Sequence, residues 1–310
     1  MNRASFAFLP LLLLAGCSNT SVEQSTATLT EARQGFVSRP GSQAQPDNDP
    51  LQDPPPTLFQ LIRYESVVGP LAAYLTPDPG DGQKHPAIVW ITGGDCNSID
   101  EVWQPRSPSD DQTAAAYREA GLIMMFPSLR GGNQNPGRRE GFYGEVDDVI
   151  AAADTLAKQP YVDPTRIYLG GHSTGGTLAM LVAESTDRFR TVFSFGPVEN
   201  VGNYGGQFLY HDSSNPRETE LRSPGRWLNS SVKSPLFVLE GVTGNIGSLR
   251  AMAGASKNPK IRFFPVQGAS HFSVLAPVNK LIATKILTDN GSTPTISLSE
   301  AEVNAAMTTR

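Results

Sequence analysis

The stretch Ile167-Tyr168-Leu169-Gly170-Gly171-His172-Ser173-Thr174-Gly175-Gly176 limits what the whole chain can fold into. It starts as an apolar, β-prone run and turns through a cluster of glycines. It continues as TLAMLVAES, where Leu178, Leu181 and Val182 recur at helical spacing. A strand that turns this sharply into a helix brings two backbones close together, and side chains at 171 and 175 would clash. Glycine removes the Cβ and tolerates the dihedrals of a tight turn. Such a unit belongs in a sheet of parallel strands joined by helices.

The rest of the chain supplies that sheet. Residues 58–68 and 71–76 read as a hairpin turning at Gly69-Pro70. Residues 86–92, PAIVWIT, form a continuous apolar run, as expected for a strand buried on both faces. Further strands are expected at 122–126, 166–169, 191–195, 236–239 and 261–266. Helices are expected at 113–120, 144–158, 246–255 and 274–287, besides the one after Ser173. The alternation predicts an α/β domain with a mainly parallel sheet flanked by helices, spanning 58–288.

The ends read differently. Arg3 and the apolar run 6–14 resemble a signal peptide, too short to span a bilayer comfortably. Leu14-Ala15-Gly16-Cys17 resembles a bacterial lipobox, so residues 1–17 are expected to be a lipoprotein signal with Cys17 as the lipidated residue. Ser18, rather than aspartate, follows the cysteine and points to the outer membrane if the cell is Gram-negative. Residues 18–57 are rich in Ser, Thr, Gln, Pro and Asp and read as a flexible polar tether ending in Pro54-Pro55-Pro56. Residues 289–310 form a polar tail, with Ser299 and Glu302 spaced as a capping box for a short terminal helix. With Cys17 lipidated, Cys96 is left alone and no intramolecular disulfide is available. A net charge of −5 and the lack of a long basic run argue against a nucleic-acid partner.

Ser173 stands at the apex of a G-x-S-x-G turn, at the start of a helix, where the Thr174 N–H can face a developing oxyanion. A serine hydroxyl needs a base. Of the four histidines, His271 lies in the loop after the last strand, at the carboxyl edge of the sheet where ligands bind in such folds. His85 precedes a strand, His172 is inside the turn and His211 lies in a polar insertion. A second oxyanion donor is expected from the N–H of Gly94 or Asp95, in the glycine pair after PAIVWIT. The acid belongs between Ser173 and His271. Glu240, at the end of a strand, is the first candidate, Glu199 the second, and Asn245 could orient His271 without a charge. The insertion from 201 to 222 is placed to shape the pocket.

Other short matches accompany these: Leu129-Arg130-Gly131-Gly132, then Tyr143-Gly144-Glu145 with Asp147-Asp148 opening a helix. Val162-Asp163-Pro164-Thr165-Arg166-Ile167 precedes the turn, Ser223-Pro224 precedes a strand, and Phe272 follows His271. As a set, across 71–287, they resemble the prolyl oligopeptidase family of serine hydrolases and the nearby dienelactone-hydrolase-like branch of the α/β hydrolases. The resemblance implies an α/β-hydrolase fold with a small insertion over the site. It implies Ser173 as nucleophile, Thr174 as oxyanion donor and His271 as base, acting on a small ester or peptide without cofactor or metal. Three departures stand out. The family's strand-Gly-x-x-Asp acid motif is not matched. Residues 18–57 are too short and polar for its β-propeller. Gly93-Gly94 replaces the His-Gly of many relatives. The expected function is a membrane-tethered serine hydrolase; the alternative is a hydrolase fold without catalysis, used as a binding or assembly module.

Overall fold

The computed structural model describes residues 22–308. The signal segment and Cys17 lie outside the described residues. Eight strands form one sheet: β1 (Gln60–Ser66), β2 (Gly69–Leu75), β3 (His85–Ile91), β4 (Ile123–Pro127), β5 (Val162–His172), β6 (Val192–Phe195), β7 (Leu236–Gly241) and β8 (Ile261–Val266). Their order is β1-β2-β4-β3-β5-β6-β7-β8. β3 to β8 run parallel, while β1 and β2 form an antiparallel hairpin at one edge. The helices are α1 (Leu29–Arg33), α2 (Ala115–Glu119), α3 (Glu145–Leu156), α4 (Thr174–Ala183), α5 (Pro216–Glu220), α6 (Ile246–Ala255), α7 (Leu275–Thr288) and α8 (Glu300–Ala306).

The period-2 geometry of β3 shows how the sheet divides the core. Ala87, Val89 and Ile91 join the cluster that contains α3, α4 and α6 residues. Ile88 and Trp90 join the opposite cluster, with Tyr117 of α2 and Val278, Ile282 and Ile286 of α7. Both faces are covered, so PAIVWIT has no polar side. Full burial of each such side chain stabilises the fold by about 1.5–3 kcal/mol. The hairpin turns two residues earlier than expected. Ser66 pairs with Gly69, which leaves Val67 and Val68 as the loop. Gly69, at φ +114°, already belongs to the ladder and faces Pro136.

Residues 22–57 do not form a free tether over their described length. Leu29 is fully buried, and its N–H donates to Ser231 Oγ at 2.9 Å. Arg33 pairs with Asp147 at 3.1 Å. Ser38 Oγ and the Arg39 N–H donate to Glu218 at 3.1 and 2.6 Å. The Gly41 N–H donates to the Tyr210 carbonyl at 2.7 Å, and Ser98 Oγ to Asp47 at 2.6 Å. Polar composition forbids a core of its own, but it does not prevent docking onto one. The tail is fastened too. Asp289 accepts from Arg190 Nε and Tyr168 Oη, each at 2.7 Å. Burial works to raise the Asp289 pKa, yet these hydrogen bonds hold it well below the usual carboxylate range. The capping box forms at Ser299 and Glu302, opening α8.

Glu184, the C-cap of α4, is a carboxylate buried in this core. Among the described residues neither of its oxygens has a hydrogen-bond partner. Burial pushes its pKa well above the ordinary value. The native state therefore holds a proton that the unfolded chain releases, and stability falls as pH rises above about 4.3, the unfolded value. Glu184→Met is expected to stabilise the protein at pH 7 by about 1–3 kcal/mol. In thermal melts the gain should be larger at pH 7 than at pH 4.5. An equal gain at both pH values would mean that the carboxyl is not held neutral.

Candidate active site

The turn after β5 puts Ser173 at φ +56° and ψ −115°, a conformation that costs a non-glycine residue about 1–3 kcal/mol. The surroundings enforce it. The Ser173 N–H donates to the Phe195 carbonyl of β6 at 2.7 Å. A Cβ at Gly171 would strike the Gly175 carbonyl, and one at Gly175 would strike the carbonyl of Ile91 in β3. The two glycines therefore let α4 start directly against the strand ends, with Ser173 at the apex.

His271 lies in the loop between β8 and α7. Its Nδ1 is 2.9 Å from Glu240 Oε2, and the Glu240 side chain is fully buried at the end of β7. The first of the candidate acids is thus the one brought to His271. Gly196, just after Phe195, is pressed against this pair: a Cβ there would meet the His271 ring and, at 2.5 Å, Glu240 Oε2. Glu199 is elsewhere, accepting from Asn203 Nδ2 at 2.9 Å. Asn245 is not on His271 either; its Nδ2 donates to the Gly196 carbonyl at 3.1 Å. With Nδ1–H donating to Glu240, the His271 Nε2 is left as the basic nitrogen.

Thr174 is the first residue of α4, so its N–H has no partner within the helix. Its hydroxyl donates to the Gly94 carbonyl at 2.8 Å, which ties the helix start to the loop after β3. Beyond that loop, a cavity of about 490 Å³ opens between Thr92, Gly93, Asp95, Gln112 and Arg139, with Asp47 of the N-terminal arm on its wall. Ser173 and His271 do not line it.

One neighbour of Ser173 has no signature in the sequence. Tyr204 comes from a 3-10 turn, Val201–Tyr204, in the insertion. Its hydroxyl is 2.6 Å from Thr177 Oγ1, one turn into α4, and lies close to the Ser173 side chain. Its ring packs against Phe142 and Phe208, with centroids at 5.8 and 5.9 Å. A tyrosine among Gly and Asn residues carries no periodicity or spacing that would single it out. The other polar and reactive residues named from the sequence have structural settings. Arg130 is buried and bidentate on Asp148, with Glu140 as a further partner. Cys96 is buried, and burial pushes its thiol pKa up. His85 pairs with Asp81, and His211 Nε2 lies 3.2 Å from Thr219.

The model of the prolyl oligopeptidase family matches residues 108–238. Dipeptidyl-peptidase 5 of Porphyromonas gingivalis is 26% identical over 188 residues, which cover 54% of this chain and 27% of that protein. The chain thus aligns with about a quarter of that relative's length. Among solved structures, a puromycin-hydrolyzing peptidase of Mycobacterium tuberculosis superposes with a TM-score of 0.60 at 22% identity, covering 76% of this chain and 40% of that one. An esterase of Pyrobaculum calidifontis superposes at 0.53 and 17% identity, covering 78% and 87%. The fold is that of α/β-hydrolase peptidases and esterases, and the family match is to serine peptidases.

Proposed function

We propose that this protein cleaves an acyl bond, in a peptide or an ester, through a covalent intermediate on Ser173. The Ser173 hydroxyl attacks the carbonyl carbon while His271 Nε2 takes its proton. Glu240 holds Nδ1–H and stabilises the imidazolium that forms. The oxyanion is received by the N–H of Thr174 and by that of Gly94 or Asp95. The proton then passes from His271 to the leaving amine or alcohol. Water, activated by the same base, releases the acid and restores the serine. The observation that carries this reading is the 2.9 Å contact between His271 Nδ1 and a fully buried carboxylate. The unmatched acid motif is the main ground for a non-catalytic module, and the buried Glu240 beside His271 weighs against it. The match to the prolyl oligopeptidase family favours a peptide substrate.

The same proposal places the protein on a membrane through lipid on Cys17. The arm is docked from its first described residues: Glu23 pairs with Arg226 at 2.8 Å, and Gln24 Nε2 donates to the Gly225 carbonyl at 2.5 Å. The short run between Cys17 and that point spans at most about 25 Å, at roughly 3.5 Å per residue. A lipid there would hold the catalytic domain close to the bilayer rather than on a long leash. The test uses a fluorophosphonate probe on the full chain expressed in bacteria. A labelled protein, with the adduct mapped to Ser173, supports the hydrolase; a folded protein that does not label refutes it. Detergent-phase partitioning that is lost in Cys17→Ala supports the anchor, and unchanged partitioning refutes it.

A further inference from the structure

His172 is the last residue of β5, just before the strained serine, and its side chain is fully buried. Its Nε2 is 3.0 Å from the backbone carbonyl of His271, and its Nδ1 is 3.3 Å from Gln112 Oε1. The backbone carbonyl only accepts, so Nε2 carries the proton; Nδ1 of the neutral ring is then an acceptor, which the Gln112 side-chain amide serves with its NH2 turned toward it. The ring centroid is 4.5 Å from that of His271 and 5.4 Å from that of Phe272. On the opposite side, a Cβ at Gly93 would press on both His172 Nδ1 and Gln112 Oε1, each at 2.9 Å. His172 therefore meets three pieces at once: the turn that carries Ser173, the loop after β3 and the loop that carries His271.

We propose that His172 is a positioning residue for the reaction. Its Nε2–H holds the main chain of His271 and its ring backs the His271 imidazole, while Glu240 fixes the same ring through Nδ1. The base is then held from two sides relative to the adjacent Ser173. The inference rests on the reading of Ser173 and His271 as nucleophile and base. Burial, and after it the nearness of His271, bring the His172 pKa down to about 3. The ring therefore stays a neutral donor across the working range and does not add a second positive charge beside the imidazolium.

The experiment compares His172→Leu, His172→Gln and His172→Asn in the full chain, by fluorophosphonate labelling rate and by kcat and KM on a p-nitrophenyl ester. Leucine removes the donor. Glutamine keeps an N–H at about the reach of Nε2, and asparagine places it short. A misplacement of about 1 Å costs on the order of 10²-fold. His172→Leu and His172→Asn are expected to lose about 10–100-fold in labelling rate and kcat, with KM within about 3-fold. His172→Gln should stay within about 5-fold of the parent. If His172→Leu fails to fold, the contrast between glutamine and asparagine decides. A folded His172→Leu as fast as the parent, or a glutamine variant as slow as asparagine, overturns the inference alone. A folded parent that does not label overturns the hydrolase reading and this inference with it.

Discussion

Ser173→Ala is expected to lower kcat/KM on any cleaved substrate by on the order of 10⁶, the usual loss when the nucleophile of such a constellation is removed. The loss should fall on kcat, because the hydroxyl forms the bond that defines the reaction and adds little to ground-state binding. Stability should tell a second story. Ser173 is held at φ +56° by the Phe195 carbonyl and by backbone contacts at Gly171 and Gly175. Alanine inherits that strain and glycine does not. Ser173→Gly should be as inactive as Ser173→Ala but more stable by about 1 kcal/mol, read from denaturant or thermal melts. Residual activity within about 100-fold of the parent would mean that another group attacks. Equal stability of the two variants would mean that the turn is not strained.

The strand–helix alternation is legible in the sequence because burial on both sides of a parallel sheet leaves continuous apolar runs, as in PAIVWIT. Glycines at 171, 175 and 176 mark close backbone contacts, so the turn is legible as well. The arm is another matter. Residues 22–57 bury few apolar side chains and are held by polar contacts to Ser231, Asp147, Glu218 and Tyr210, all remote in sequence. Composition reports whether a segment can make its own core. It does not report whether its hydrogen-bonding groups meet partners elsewhere. Tyr204 is hidden for a related reason: its role depends on where a 3-10 turn delivers a hydroxyl, not on a pattern around it.

The acid shows why a missing motif is not a missing function. The expected aspartate would reach His271 from the loop beyond β7. Here the carboxylate leaves the strand itself at Glu240, further back, and the extra methylene of glutamate makes up the distance. Two glycines clear its path. A Cβ at Gly244 would strike Glu240 Oε1, and one at Gly196 would strike Oε2. Among the described residues Oε1 has no hydrogen-bond partner, so the contact with His271 Nδ1 is the one that orients this carboxylate. Glu240→Gln keeps the shape but removes the charge, and an amide nitrogen facing Nδ1 would select the wrong tautomer of the base. The expected fall in kcat is about 10³–10⁴-fold with KM little changed. Glu199→Gln, whose carboxylate bonds to Asn203, should stay within about 3-fold of the parent, as expected for an exposed polar contact. A Glu240→Gln enzyme within about 10-fold of the parent, beside a Glu199→Gln enzyme that falls further, would move the acid to Glu199. That would leave the His271–Glu240 pair as a structural contact.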